Sequence, residues 1–216
     1  MEVFIGRQPI FNLHEQVVAY ELLYRGKNVN AFPMVDSDAA TIDVLVNSFL
    51  SIGFEEVTKG KPGFVNFTEN LLMSSIHEFL NPSQVVIEIL EDVPLTPQLV
   101  ERVIELKKHG FQIALDDFIM EEHVEVYDEL FEQVDYIKVD FLASSIVKRM
   151  EIESEVKERF PHIQLLAEKV ETRHQFEVAK SSGYVLFQGY FFEQPQIIHA
   201  TDIPANTIQY IHIISL

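Results

Sequence analysis

The chain of 216 residues has no cysteine, no tryptophan and only eight glycines. Without cysteine, disulfides, thiolate nucleophiles and cysteine-ligated zinc are excluded, and a reducing compartment fits. Basic residues are scarce too: 16 Lys and Arg against 34 Asp and Glu give a formal net charge of −18. A surface that acidic repels nucleic-acid backbone and anionic membrane. A site for an anion would have to neutralise its own carboxylates first, and bound cations are the usual means. No apolar run approaches ~18 residues, and Met1-Glu2-Val3-Phe4 has no basic region ahead of an apolar stretch. Neither a membrane span nor a signal peptide is expected, and a cytoplasmic location is. No glycine-rich phosphate loop follows any strand-like run, which argues against a dinucleotide-binding fold.

What is present suits a large core. Hydrophobic residues make up 47% of the chain, with seventeen Phe and seven Tyr. Short runs rich in Val, Ile, Phe and Tyr predict strands at Val17–Tyr24, Gly63–Phe67, Val85–Leu90, Gln112–Leu115, Tyr136–Val139, Gln164–Ala167 and Tyr184–Phe187. Most are continuously apolar, as strands buried on both faces are. Helical spacing predicts helices over Asp38–Leu50, Thr96–His109, Val124–Phe131, Ala143–Arg159 and Thr172–Ser181. Thr96-Pro97 and Gly110 bracket the second of these with start and stop signals. Ser144, Ser145 and Ser154 are weak helix formers and predict a break in the fourth.

A β-α-β-α alternation with buried strands implies parallel units. Seven or eight of them in this length favour a (β/α)8 barrel, an α/β fold of the TIM type. The first two runs, Val3–Phe11 and Val17–Tyr24, are joined by only Asn12–Gln16. That is too short for a helical crossover, so they should pair as a hairpin and give the barrel one antiparallel strand.

Barrel ligands sit at the C-terminal ends of strands. The polar residues there are Glu21 and Arg25, Asn66, Glu88 and Glu91, Asp116 and Asp117, Lys138, Glu168, and Gln188. Buried carboxylates are costly unless paired or metal-bound. An oxygen-rich set without His or Cys suits Mg²⁺, Mn²⁺ or Ca²⁺. Taken singly, several have plainer explanations: Asp116-Asp117 a helix cap, Lys138 with Asp140 a structural ion pair, Asn66 a turn residue, Glu168 with Lys169 a surface pair. Glu88, inside Val-Val-Ile-Glu-Ile-Leu, resists such a reading, because an acid within a parallel strand is expensive. Arg25 near an anion site suits a phosphate clamp. The eight His show no paired-ligand spacing and are expected on the surface or in the core.

At these positions the chain resembles the EAL family of cyclic di-GMP phosphodiesterases, over nearly its whole length. The matching pieces are Gln8-Pro9-Ile10, Glu21-Leu22-Leu23-Tyr24-Arg25, Phe64-Val65-Asn66, Glu88-Ile89-Leu90-Glu91, Asp116-Asp117-Phe118, Ile137-Lys138-Val139-Asp140, Ala167 through Thr172, and Gln188-Gly189-Tyr190. The resemblance implies that Glu21, Asn66, Glu88 and Asp116 ligate one Mg²⁺ or Mn²⁺ and that Asp117 serves a second, about 4 Å away. A water between them would attack the phosphodiester and yield the linear dinucleotide. Lys138 would orient that water, Glu168 would support it, Gln188 would contact it or the ligand, Arg25 would hold a phosphate, and Glu91 would brace the loop after Asp117.

Two departures stand out. Ile119-Met120-Glu121-Glu122-His123-Val124 replaces a Gly-Thr-Gly-Tyr-Ser-Ser loop, and glycine permits backbone shapes that Ile and Met resist. Leu22 replaces Ala and adds bulk beside a ligand, which could shift Glu21. Both resemble the subgroup in which an EAL domain (here 1–203) precedes an HDOD domain, with 204–216 starting the connection to it. Members of that subgroup are often catalytically silent. Two functions stay open: a metal-dependent cyclic di-GMP phosphodiesterase, and a cyclic di-GMP-binding or scaffold domain without turnover. A family-like homodimer is a further expectation.

Overall fold

The computed structural model describes residues 3–25, 38, 41, 42, 45, 53–118 and 126–200. Strands β1 (Val3–Asn12) and β2 (Val17–Arg25) form the expected antiparallel hairpin. Its turn is set locally. Asn12 Oδ1 accepts from the amides of His14 and Gln16 at 2.9 and 3.0 Å, and Glu15 takes a left-handed φ of 57°, the kind of side-chain turn that Asn favours.

Units of strand and helix follow. α1 (Phe54–Thr58) leads to β3 (Gly63–Phe67), then α2 (Glu69–Met73), a 3-10 turn over Ile76–Phe79, and β4 (Val85–Ile89). α3 (Pro97–Lys108), β5 (Gln112–Leu115), α4 (Val126–Phe131), β6 (Tyr136–Asp140), α5 (Ile146–Arg159), β7 (Gln164–Glu168), α6 (Arg173–Ser182) and β8 (Leu186–Phe187) complete the alternation. A last strand, β9 (Gln196–Ala200), was not anticipated. Strands β2 to β8 pair in parallel in chain order, and β1 lies antiparallel between β8 and β2. The eight strands therefore close into a mixed (β/α)8 barrel. β8 meets only Phe11 and Asn12 of β1, and β9 covers the other half, Val3–Arg7. That half of β1 would otherwise be an open edge.

Helix boundaries follow the capping chemistry. Thr96 caps α3 by accepting from the Leu99 amide at 3.2 Å, with Pro97 in the first turn and Lys107 and Lys108 in the last. Thr172 and Gln175 form a reciprocal capping box on α6, which ends at Gly183 with φ 102°. The expected break within Ala143–Arg159 does not occur. Ser145 instead caps an unbroken α5, accepting from the Lys148 amide, and Ser154 donates to Glu158 one turn on. Asp38, Thr41, Ile42 and Leu45 of the first expected helix are helical, and the rest of it lies outside the described residues.

Two apolar layers hold the barrel. The larger packs the outer face of the strands against the helices. Its members include Leu22, Phe54, Val57, Val103, Phe131 and Phe176. The smaller fills the interior and draws one side chain from each strand: Ile10, Ala19, Phe64, Val86, Ala114, Tyr136, Leu166 and Leu186. Side chains alternate along a strand, so a residue two positions away faces the same way. Two positions toward the C-terminal mouth stand Glu21, Asn66, Glu88, Asp116, Lys138, Glu168 and Gln188. On the antiparallel β1 the order reverses, and Gln8 stands two positions before Ile10. A ring of eight polar side chains thus caps a ring of eight mainly apolar ones.

Candidate functional site

The centre of the polar ring is Lys138. It is fully buried, yet its Nζ lies 2.9 Å from Asp116, 2.9 Å from Glu168 and 3.6 Å from Glu21, and closer still to Glu88. Burial opposes the ammonium charge, but the Glu168, Glu21, Glu88 and Asp116 carboxylates win and push the Lys138 pKa well above its ordinary value. Burial pushes Glu88 and Glu168 well above the usual carboxylate range. Neighbouring carboxylates add to this, and the pull of Lys138 only partly offsets it. Asp116 is desolvated too, but the Lys138 charge and hydrogen bond hold it below its ordinary value. One ammonium cannot balance four carboxylates, which leaves the set short of positive charge.

Gln188 donates from Nε2 to Glu21 Oε2 at 2.6 Å. It is placed by its own backbone, which takes bonds from β7 and its loop: its amide donates to Ala167 O, and its carbonyl accepts from Val170 N. Gly189 follows with φ 150°, and a Cβ there would collide with the backbone of Val170. The chain can pass that close only as glycine.

A pocket of about 390 Å³ opens over this layer. Gln8, Glu21, Asp116, Asp117, Glu168, Lys169 and Gln188 give it a polar floor, and Leu23, Leu142, Tyr190 and Pro195 an apolar rim. Asn66 Oδ1, Glu88 Oε2, Asp117 Oδ1 and Gln188 Oε1 are buried oxygens with no hydrogen-bond donor among the described residues. Such orphaned acceptors are costly to bury. A hard divalent cation needs what they offer, several oxygens and no soft ligand. One carboxylate oxygen each from Asp116, Asp117 and Glu168 also lies within 4.8 Å of the others. The residues fit a divalent cation.

Of the residues singled out in the sequence, Glu21, Asn66, Glu88, Asp116, Asp117, Lys138, Glu168 and Gln188 come together here. Arg25 ends β2, but its side chain lies outside those described, as does the loop 119–125. Glu91 is exposed beyond the end of β4. Leu22 corrects an expectation. It is 2% exposed and packs in the outer layer, where its Cδ1 lies close to Gly63. Alternation along β2 turns it away from Glu21, so it does not crowd the ligand side.

The plainer pairings also fail. Asp140 is not the partner of Lys138. It accepts from the amides of Leu142 and Ala143 and from Lys169. Gln8, of the Gln8-Pro9-Ile10 motif, joins the site although the sequence pattern does not single it out. The hairpin register places it opposite Glu21. His77, Glu105 and His109 also converge, outside the pocket lining. There the Arg102 guanidinium already donates to Glu105 at 2.6 Å and contacts His77 Nδ1 at 2.7 Å, a fixed cation where a metal would have to sit.

Fold and site together define an α/β barrel with a buried carboxylate–lysine centre at its mouth, suited to divalent cations. The family model described as EAL domain matches residues 50–195, and the chain belongs to the EAL domain family. It is 46% identical to the uncharacterized protein YuxH of Bacillus subtilis over 217 aligned residues, covering 100% of this chain and 53% of that protein. It is 36% identical to the cyclic di-GMP phosphodiesterase CdgJ of Vibrio cholerae over 90% of this chain and 45% of that one. The chain thus spans about half the length of these relatives.

Among solved structures, the Bacillus subtilis YkuI protein, with an EAL domain, was crystallised with substrate c-di-GMP and calcium. It superposes with a TM-score of 0.69 at 20% identity, covering 99% of this chain and 60% of that one. The manganese/cy-diGMP complex of Klebsiella pneumoniae BlrP1 gives 0.71 at 22% identity, over 93% of this chain and 60% of that one. Both likenesses concern the fold. Among the described residues no helix is long and apolar enough to cross a membrane.

Proposed function

We propose that this chain is a cyclic di-GMP domain whose polar ring holds Mg²⁺ or Mn²⁺ and opens the ligand to the linear dinucleotide. The observation that carries the proposal is the set of orphaned buried oxygens around a lysine-centred carboxylate cluster. The names of the relatives and neighbours support the ligand. So does the pocket, with a polar floor for phosphates and an apolar rim, including the exposed Tyr190, for flat bases.

In this proposal Glu21, Asn66, Glu88 and Asp116 hold one ion and Asp117 a second. When bound, such ions acidify water and neutralise phosphodiester charge. Lys138, kept charged by its carboxylates, would orient the attacking water and offset developing charge. Glu168, paired with Lys138 at 2.9 Å, would support the metal-bound water. Gln188 orients Glu21. Arg25 as a phosphate clamp and Glu91 as a brace for the loop after Asp117 complete the proposed roles.

The test is incubation with cyclic di-GMP and Mn²⁺, with the linear product as readout. Turnover lost in Glu21→Ala and Lys138→Ala, with folding verified by circular dichroism, is the expected result. Binding by calorimetry without product would replace the enzyme by a sensor. The Ile119-Met120 substitution in the loop after Asp117 favours that second reading. No binding with either metal would refute both.

A cytoplasmic setting, a C-terminal HDOD partner beyond 204–216 and a homodimer belong to the same proposal. Ile146, Val147 and Met150 on one side of α5, and Leu142 ahead of it at the pocket, are each more than half exposed. Charging Ile146 and Met150 to Glu should leave the fold stable and shift the sedimenting species from dimer to monomer.

A further inference from the structure

We propose that Lys169 sets how many divalent cations the pocket holds, its ammonium standing in for the second ion at Asp117. The inference rests on the metal-binding function proposed above. Lys169 follows Glu168 at the end of β7 and lines the pocket. Its Nζ donates to Asp117 Oδ2 at 3.3 Å and, at shorter range, to Asp140 Oδ2. Asp140 is itself fixed, because its Oδ1 accepts from the amides of Leu142 and Ala143 at 2.6 and 2.9 Å. A rigid carboxylate therefore steers the ammonium onto Asp117.

The backbone points the same way. Lys169 has a φ of 53° and Asp117 a φ of 40°. Non-glycine residues adopt that left-handed region at a cost, and glycine would adopt it freely. A lysine kept there against its backbone preference implies that its side chain contributes something in return. An exposed ion pair is weak, and the Lys169 side chain is 48% exposed. However, it meets two carboxylates, and that of Asp140 is only 7% exposed.

Asp117 is contested. Its Oδ1 is buried without a donor among the described residues, and it shares with Asp116 and Glu168 the spacing of a cation site. A divalent ion at Asp117 must displace the Lys169 ammonium or accept its repulsion. Lys169 pairs with Asp117 and Asp140, whereas Glu21, Glu88 and Asp116 of the deeper set meet Lys138, so Lys169 competes with the second ion and not with the first. One ion should then bind tightly and the second weakly.

Mn²⁺ titration of the whole chain, followed by calorimetry and by electron paramagnetic resonance, tests this. Wild type should take up one Mn²⁺ tightly and a second only at higher concentration. Lys169→Gly suits the φ and removes the charge. Lys169→Met removes the charge but keeps the stem and the backbone strain. Both should tighten the second ion about ten- to a hundredfold, bring in spin-coupled signals at lower Mn²⁺, and lose that gain when Asp117→Asn is added.

Two equal ions in wild type, an unchanged second affinity in both variants, or a gain in Lys169→Gly alone would overturn the proposal while leaving the metal site intact. No Mn²⁺ bound by any of the proteins would overturn the metal site and this inference together.

Discussion

Replacing Lys138 by Met keeps most of the side-chain volume and deletes the one cation that touches four carboxylates at the barrel mouth. Breaking a buried ion pair by removing one partner costs about 3–5 kcal/mol. Here the carboxylates have an escape, because Glu88 and Glu168 already sit above the usual range and can take up protons. Removing the ammonium raises them further. A carboxylate whose folded pKa is raised binds its proton more tightly folded than unfolded, so stability falls as pH climbs from the unfolded value through the folded one. The deficit should therefore be small in mild acid and full in mild alkali. At this chain length 1 kcal/mol moves Tm by about 2–4 °C, which predicts a drop of roughly 6–20 °C at about pH 8 in EDTA and a much smaller drop near pH 5. Mn²⁺ at about 100 times its Kd adds about 2.7 kcal/mol by mass action and should recover much of the loss. Differential scanning calorimetry of wild type and variant under the four conditions reads this directly. A variant melting within about 2 °C of wild type at high pH without metal, or a deficit that does not change with pH, would refute the assignment of Lys138 as the charge that holds the ring together.

Glu21→Gln keeps the shape and removes a charged oxygen ligand, so Mn²⁺ affinity measured by calorimetry should fall about tenfold or more; unchanged affinity would remove Glu21 from the ligand set. Because burial and neighbouring carboxylates raise the pKa of Glu88 and Glu168, a cation there competes with protons, and Mn²⁺ binding should release protons and weaken as pH falls. Titrations in two buffers of different ionisation enthalpy should then give different apparent heats, and identical heats would contradict it. Gly189→Ala drives a Cβ into the backbone of Val170 at a φ that glycine alone tolerates. It should cost about 2–4 kcal/mol, and a melting temperature equal to wild type would show that the Gln188 turn is looser than described.

Much of this arrangement is legible in the sequence, because a buried parallel strand is an apolar run and each run here carries a single polar residue near its end. β3 and β5 fall where the pattern puts them, and the five-residue link Asn12–Gln16 admits little but a hairpin. Leu22 was legible too: alternation that sends Glu21 inward sends its neighbour out, and its family likeness to an Ala beside the ligand hid that. β9 was not legible, since its partner is the first half of β1, some 190 residues earlier, and no local signal reports such a pairing. α1 and α2, at five residues each, are too short to show a helical period. Nor does sequence spacing join Asp117, Asp140 and Lys169, which meet only because three strand ends close on one mouth.

The charge on that mouth decides what can enter. Glu21, Glu88, Asp116, Asp117, Asp140 and Glu168 face Lys138 and Lys169, six carboxylates against two ammonium groups. A chain of net charge −18 adds to the repulsion. Glu88 and Glu168 register that crowding as pKa values raised by burial and by neighbouring carboxylates. One divalent cation still leaves more negative than positive charge at the mouth, and only a second balances it. An anionic ligand should therefore bind in step with the ions. Cyclic di-GMP affinity should rise steeply with Mn²⁺ up to two ions per chain and vanish in EDTA, and tight binding in EDTA would mean that the ligand sits elsewhere than over this ring.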